Sequence, residues 1–188
     1  MQKLILSIFM FSVFITTASG QYYEGPYDPV KIHYKTPGFI SINEIGYGAG
    51  LGEEDTLARD YSQYFISVTS ILGYYVSQNF IFGAGTGAYF YNGGTLIPIF
   101  GDMRFTFNFK RLNPYLSGSG GFLFDISDPG SNIKLFLNPM AGARMVISYS
   151  VAATASAGFH IQEGGGDVGD RDSFVNFRLG VSIKPRRK

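Results

Sequence analysis

From residue 97 to residue 124 the chain keeps to a period of two. Ile97, Ile99, Met103, Phe105, Phe107 and Phe109 fall on one side of the alternation, and Asp102, Arg104, Thr106 and Asn108 fall on the other. Successive side chains of a β-strand point to opposite faces, so this run is a strand with one apolar and one polar face. The tight connection at 110–114 turns the chain back into a second alternating run at 115–124. A soluble sandwich would lay the apolar face on a core and leave the polar face wet. The same pattern recurs along the whole chain, however, and 18 Phe and 13 Tyr among 188 residues greatly exceed ordinary usage. The alternation is therefore read inside out: the apolar face meets lipid, and the polar face lines a closed antiparallel barrel.

Six further runs carry the pattern. They lie at 39–51, 64–76, 80–91, 133–147, 151–161 and 174–184, which with the first two makes an all-β barrel of eight strands. In the first, Ile45, Tyr47, Ala49 and Leu51 oppose Glu44, Gly46, Gly48 and Gly50, while Ile40 and Ile42 are out of phase, which predicts a bulge near Asn43. Pro139 cannot donate to a ladder and predicts a bulge or a shifted hydrogen bond in the sixth strand. Gly83, Gly85 and Gly87 are spaced by two and no helix follows them, so they do not form a phosphate-binding loop. A narrow lumen that needs small residues opposite large ones explains them.

Residues 1–20 hold a lone Lys3, an apolar run from 4 to 15, and small residues at Ala18 and Gly20, the pattern of a signal peptide cut before Gln21. The run is shorter than the roughly 20 residues of a spanning helix. With no cysteine, neither a lipoprotein anchor nor a disulfide framework is possible. Residues 21–37 contain Tyr22, Tyr23, Pro26, Pro29 and Pro37 and read as an extended lead-in to a barrel at 38–184; a basic tail fills 185–188. Without Lys3, the 15 basic residues fall to match the 14 acidic ones, so net charge points to no nucleic-acid partner.

The connections read long, short, medium, short, medium, short, long, which in an up-and-down barrel gathers the tight turns at one end with both termini. Outer-membrane barrels keep short turns on the periplasmic side. Charge divides likewise. Glu53, Glu54, Asp55, Asp60, Asp128, Glu163, Asp167, Asp170 and Asp172 fall in the outer loops against only Arg59 and Arg171, whereas Lys31, Lys35, Lys110, Arg111, Lys184, Arg186, Arg187 and Lys188 fall at the inner end against Glu24 and Asp28. Asp167, Asp170 and Asp172 are a candidate cation-binding loop, shared with lipopolysaccharide, but match no complete calcium-loop spacing. A solvated face is the default.

By parity Glu44, Asp102, Arg104, Arg144, His160 and Arg178 point into the lumen, where unpaired burial would cost several kcal/mol each, so a network of pairs is expected. Eight strands close too tightly for a diffusion pore. Aromatic girdles are expected from Tyr74, Phe80, Phe109 and Tyr115 at the inner interface, and from Tyr64, Phe90 and Phe124 at the outer one.

The segment Ile97-Pro98-Ile99-Phe100-Gly101-Asp102-Met103-Arg104-Phe105, the Asn113-Pro114-Tyr115 strand start and the signal peptide resemble the small eight-stranded outer-membrane β-barrel proteins, especially the Bacteroidetes type, over residues 38–183. The resemblance implies export to an outer membrane and a structural or interaction role without cofactor or catalytic residue. Members often finish on an aromatic, whereas Pro185-Arg186-Arg187-Lys188 extends past the last strand. Because some such barrels act on lipid A, His160 with Ser156 and Glu163 is the one catalytic grouping to weigh; His33 has no evident partner. Two other readings are a soluble lipocalin-like binder, with the aromatic face inward, and an accessory subunit docked through the lead-in or the basic tail.

Overall fold

The computed structural model describes residues 37–51, 63–91, 94–107, 112–126, 133–148, 150–163 and 171–185. The expected signal peptide, all of the lead-in but Pro37, and residues 186–188 lie outside them. Within them run β1 (Gly38–Gly50), β2 (Tyr64–Tyr75), β3 (Phe80–Tyr91), β4 (Gly94–Thr106), β5 (Leu112–Asp125), β6 (Lys134–Val146), β7 (Val151–Glu163) and β8 (Arg171–Ile183). Each strand pairs antiparallel with its neighbours in sequence, and β1 pairs with β8, so the sheet is a closed up-and-down barrel.

The stagger can be followed residue by residue. Starting outward-facing at Ser41, the register passes through Leu72, Ala84, Gly101, Gly120, Leu137, Ile161 and Ser173. There the Leu51 amide donates to the Ser173 carbonyl at 2.9 Å, ten residues further along β1 than the start. Such a shear tilts the strands by about 40° and makes strands of this length span about 30 Å along the barrel axis. That matches the hydrocarbon thickness of a bilayer.

Every strand turns an apolar residue outward: Phe39, Leu72, Phe82, Ile99, Leu116, Leu137, Phe159 and Leu179 are all at least half exposed. The lipocalin-like alternative requires the reverse orientation. Inside, glycines make room for large neighbours. A methyl group on Gly85 would sit 2.5 Å from Phe100 Cζ, and one on Gly142 would sit 2.7 Å from Tyr115 Cζ. At Gly83 the obstruction is backbone, with the Leu72 carbonyl oxygen 2.7 Å from the added carbon. Gly83→Ala is expected to destabilise the barrel by about 1–3 kcal/mol, read as a lowered urea midpoint in lipid vesicles.

Four expectations change. No bulge forms near Asn43, because the β1–β2 register runs unbroken from Gly38 to Ala49. Ile40 and Ile42 are buried inside with Ile71 and Ile81, so the lumen near the start of β1 is partly apolar. Pro139 brings no bulge either, and of the two irregularities expected there only interrupted ladder bonding is seen. The β6–β7 ladder has a gap at 138–139, with the same register on both sides. Tyr115 does not join a girdle. It lies two residues from inward Asn113 and Ser117, on their face, and only 3% of it is exposed. Finally, the connection after β3 is not of medium length. Tyr91 pairs with Gly94, leaving only Asn92 and Gly93, a sequence suited to a two-residue hairpin.

Candidate functional site

Among the described residues, ionisable groups gather in the lumen, and the register explains how. Asp102 and Arg104 are two apart on β4 and therefore point to the same side; Ser119 faces Asp102 from β5. Arg104 Nε donates to Asp102 Oδ1 at 2.7 Å, and Nη1 reaches across the barrel to Glu44 Oε1 at 2.7 Å. The Ser119 hydroxyl donates to Asp102 Oδ2 at 2.8 Å. Glu44 Oε2 lies 3.6 Å from Arg178 Nη1, and Arg178 Nη2 donates to the Tyr89 hydroxyl at 3.0 Å. Asn138 completes this layer when its amide is turned to satisfy both atoms, which sets the oxygen 2.6 Å from Arg178 Nη2 and the nitrogen 2.8 Å from the Phe159 carbonyl.

Two carboxylates thus face two guanidiniums in a girdle of charge that is neutral as a whole, and none of the four is more than 4% exposed. Cations in water are attracted to unpaired carboxylates; these carboxylates are already bridged by arginine. Glycine sets the fit. A carbon added at Gly180 would lie 2.6 Å from Glu44 Cγ, and one at Gly46 would lie 3.1 Å from Arg178 Cγ.

Arg144 and His160 belong to other layers. At the end holding the β1 start and the β8 terminus, Arg144 donates through Nη1 to the Tyr75 hydroxyl, and the Lys184 ammonium sits 4.4 Å from the centre of the Tyr75 ring. A cation over an aromatic face is favourable, more so where water is excluded. At the other end His160 is enclosed by Phe65, Tyr89, Phe136 and Phe174, with ring centres 5.2, 5.3, 5.2 and 6.1 Å away. Its Nε2 lies 3.2 Å from Gln162 Oε1, which also accepts from the Tyr91 hydroxyl at 2.8 Å. The weighed catalytic grouping does not assemble. The Ser156 hydroxyl points to Met140 Sδ at 3.9 Å, and Glu163 Oε2 accepts from the Leu135 amide at 2.9 Å.

Of the aromatic girdle, Tyr64, Tyr74 and Phe90 are exposed on the outer surface, while Phe80 and Phe124 are half-buried. Phe109 lies outside the described residues, as do Asp167 and Asp170. Asp172 falls on β8 and accepts from Gln162 Nε2 at 3.4 Å. No group of His, Asp and Glu suited to a metal ion occurs among the described residues. Lys184, assigned from sequence to a charged inner end, is buried in the lumen mouth, and the aromatic cage around His160 was not anticipated. Parity did signal that cage: Phe65, Tyr89, Phe136 and Phe174 all alternate with outward residues.

No protein-family model matches the chain, and no curated protein matches it. Among solved structures the chain is similar to the crystal structure of Neisserial surface protein A, at 17% identity and a TM-score of 0.55, covering 79% of this chain and 99% of that one. It is also similar to the outer membrane protein OprG of Pseudomonas aeruginosa, at 8% identity and a TM-score of 0.49 over 81% of this chain and 98% of that one. A further similarity is to the N-terminal β-barrel domain of Pseudomonas aeruginosa OprF, at 16% identity and a TM-score of 0.47 over 79% and all of the two chains. The first of these likenesses gives the fold: that of the small eight-stranded barrels expected from the sequence. The narrower Bacteroidetes type is not singled out by any of them.

Proposed function

We propose that this protein is an integral outer-membrane β-barrel, exported by a cleaved signal peptide, whose role is structural or interactive rather than enzymatic. The observation that carries the reading is the reversed barrel: an apolar outer surface on all eight strands encloses a lumen with buried, paired charges. In water so large an apolar surface would drive association, whereas in a bilayer it is the solvated surface. Buried rings of Phe65, Tyr89, Phe100 and Phe136 crowd one half of the lumen, which argues against a diffusion pore.

The proposed orientation puts both termini in the periplasm. The connections at 51–63, 126–133 and 164–170, longer than any at the opposite end, then lie outside the cell, where their acidic residues meet lipopolysaccharide. Fractionation of a tagged protein, with gel migration before and after boiling, tests this. Outer-membrane recovery with a heat-dependent shift in migration is expected; a soluble periplasmic protein indifferent to heat would overturn it. A stoichiometric protein retained in mild detergent would make the barrel an accessory subunit.

A further inference from the structure

Among the described residues, the apolar cover of the outer surface has one polar break at mid-height. Asn43 on β1 pairs with Ser70 on β2, and Ser70 pairs with Thr86 on β3, so three polar residues form a row across adjacent strands. All three face outward. Further along the strands the outward residues are apolar: Ile66 and Leu72 around Ser70, Phe82 and Phe90 around Thr86, and Ile45 on one side of Asn43, with Ser41 and then Phe39 on its other side. The row therefore crosses the middle of the belt, far from either headgroup region.

Polar side chains are costly at that depth and are kept where they meet another protein surface. Internal bonds account for only part of the row. Asn43 Nδ2 donates to Ser41 Oγ at 3.3 Å, and the Thr86 hydroxyl donates to the Pro98 carbonyl at 2.8 Å. Asn43 keeps its amide oxygen and a second N–H, Thr86 keeps acceptor capacity, and the exposed Ser70 hydroxyl makes no hydrogen bond within the described residues. Beside the row the wall is flat. Ala84 pairs with Gly101, and a carbon added at Gly101 would meet nothing within 4 Å, so packing inside the barrel does not demand glycine there.

We propose that this row is the contact through which two copies of the barrel pair side by side in the membrane. Acyl chains offer no hydrogen bonds, and an uncharged row has no claim on an ion. Amides and hydroxyls both donate and accept, so the row is complementary to itself about a two-fold axis, as an isologous contact requires. The flat wall at Ala84 and Gly101 lets two backbones approach. The inference rests on the membrane reading, which heat-dependent migration tests separately in the same gels.

The chain has no cysteine, which makes single-thiol cross-linking clean. Asn43→Cys, Ser70→Cys and Thr86→Cys are compared in native membranes with Ala141→Cys, an outward position on β6, across the barrel from β2. Oxidation is expected to give a covalent homodimer from at least one of the three and not from the control. The triple variant Asn43→Leu, Ser70→Ala, Thr86→Val is expected to weaken pairing about ten-fold while retaining its heat-dependent migration. Equal cross-linking at all four positions, none at any, linkage to a different protein, or an unaltered dimer in the triple variant would each overturn the proposal.

Discussion

Arg104→Leu is expected to destabilise the barrel by about 3–5 kcal/mol, the cost of leaving buried charge uncompensated. The guanidinium holds both Asp102 and Glu44 at 2.7 Å. Without it, Asp102 retains the Ser119 hydroxyl, and Glu44 retains only the longer approach of Arg178 at 3.6 Å. Ser119 carries no charge, and Arg178 alone cannot balance two buried carboxylates. The check is the urea midpoint of the protein folded into lipid vesicles, and an unchanged midpoint would refute the network. Arg104→Leu combined with Asp102→Asn should recover part of the loss, because one of the stranded carboxylates is gone. Arg104→Lys should not restore the wild-type midpoint, since an ammonium cannot reproduce the paired geometry of the guanidinium fork.

Leu179→Arg probes the other face. Leu179 is 62% exposed on β8, between Phe177 and Val181, and in water such a position would accept arginine at almost no cost. In a bilayer the expected cost is about 2–4 kcal/mol near the midplane, falling toward the interfaces. The measurement is again the urea midpoint in vesicles. The same substitution at Leu51, close to the end of β1, should cost less, and equal losses at the two positions would contradict the depth dependence. Together with Arg104→Leu this gives a pair of opposite lessons: an arginine is needed inside and harmful outside.

Most of the architecture was legible because alternation is a strong signal when one face meets lipid and the other a crowded lumen. Runs such as Met103-Arg104-Phe105 fixed strand, face and role at once. Legibility failed where the rule equating apolar with outward failed. Ile40 and Ile42 suggested a bulge only because they were assumed to seek lipid; they fill the end of the lumen instead. Tyr115 looked like a girdle residue because aromatic rings collect near strand ends, yet its phase with Ser117 turns it inward, where it lies 5.6 Å beneath the Arg104 guanidinium. Strand ends were the other weak point. Gln162 and Asp172 read as loop by composition, but they pair across β7 and β8.

For the candidate site, parity placed Glu44, Asp102, Arg104 and Arg178 in one lumen, but only the stagger of the strands decides which of them meet. Arg144 shares their inward face and nevertheless ends on Tyr75. Height along the axis depends on the register of every intervening pair, and no single strand carries that information.

The seam between β1 and β8 sets the order of events during biogenesis. Its partners, Ser41 with Ile183 through Gly50 with Phe174, come from opposite ends of the chain, so no nascent fragment can form it. Until β8 arrives, β1 carries an unpaired edge whose backbone groups have no partner in hydrocarbon and an open template for other strands in water. Pairing between such distant segments is intrinsically slow. An unfinished barrel would leave that edge open, so truncation anywhere before β8 is expected to give material destined for proteolysis rather than a smaller barrel.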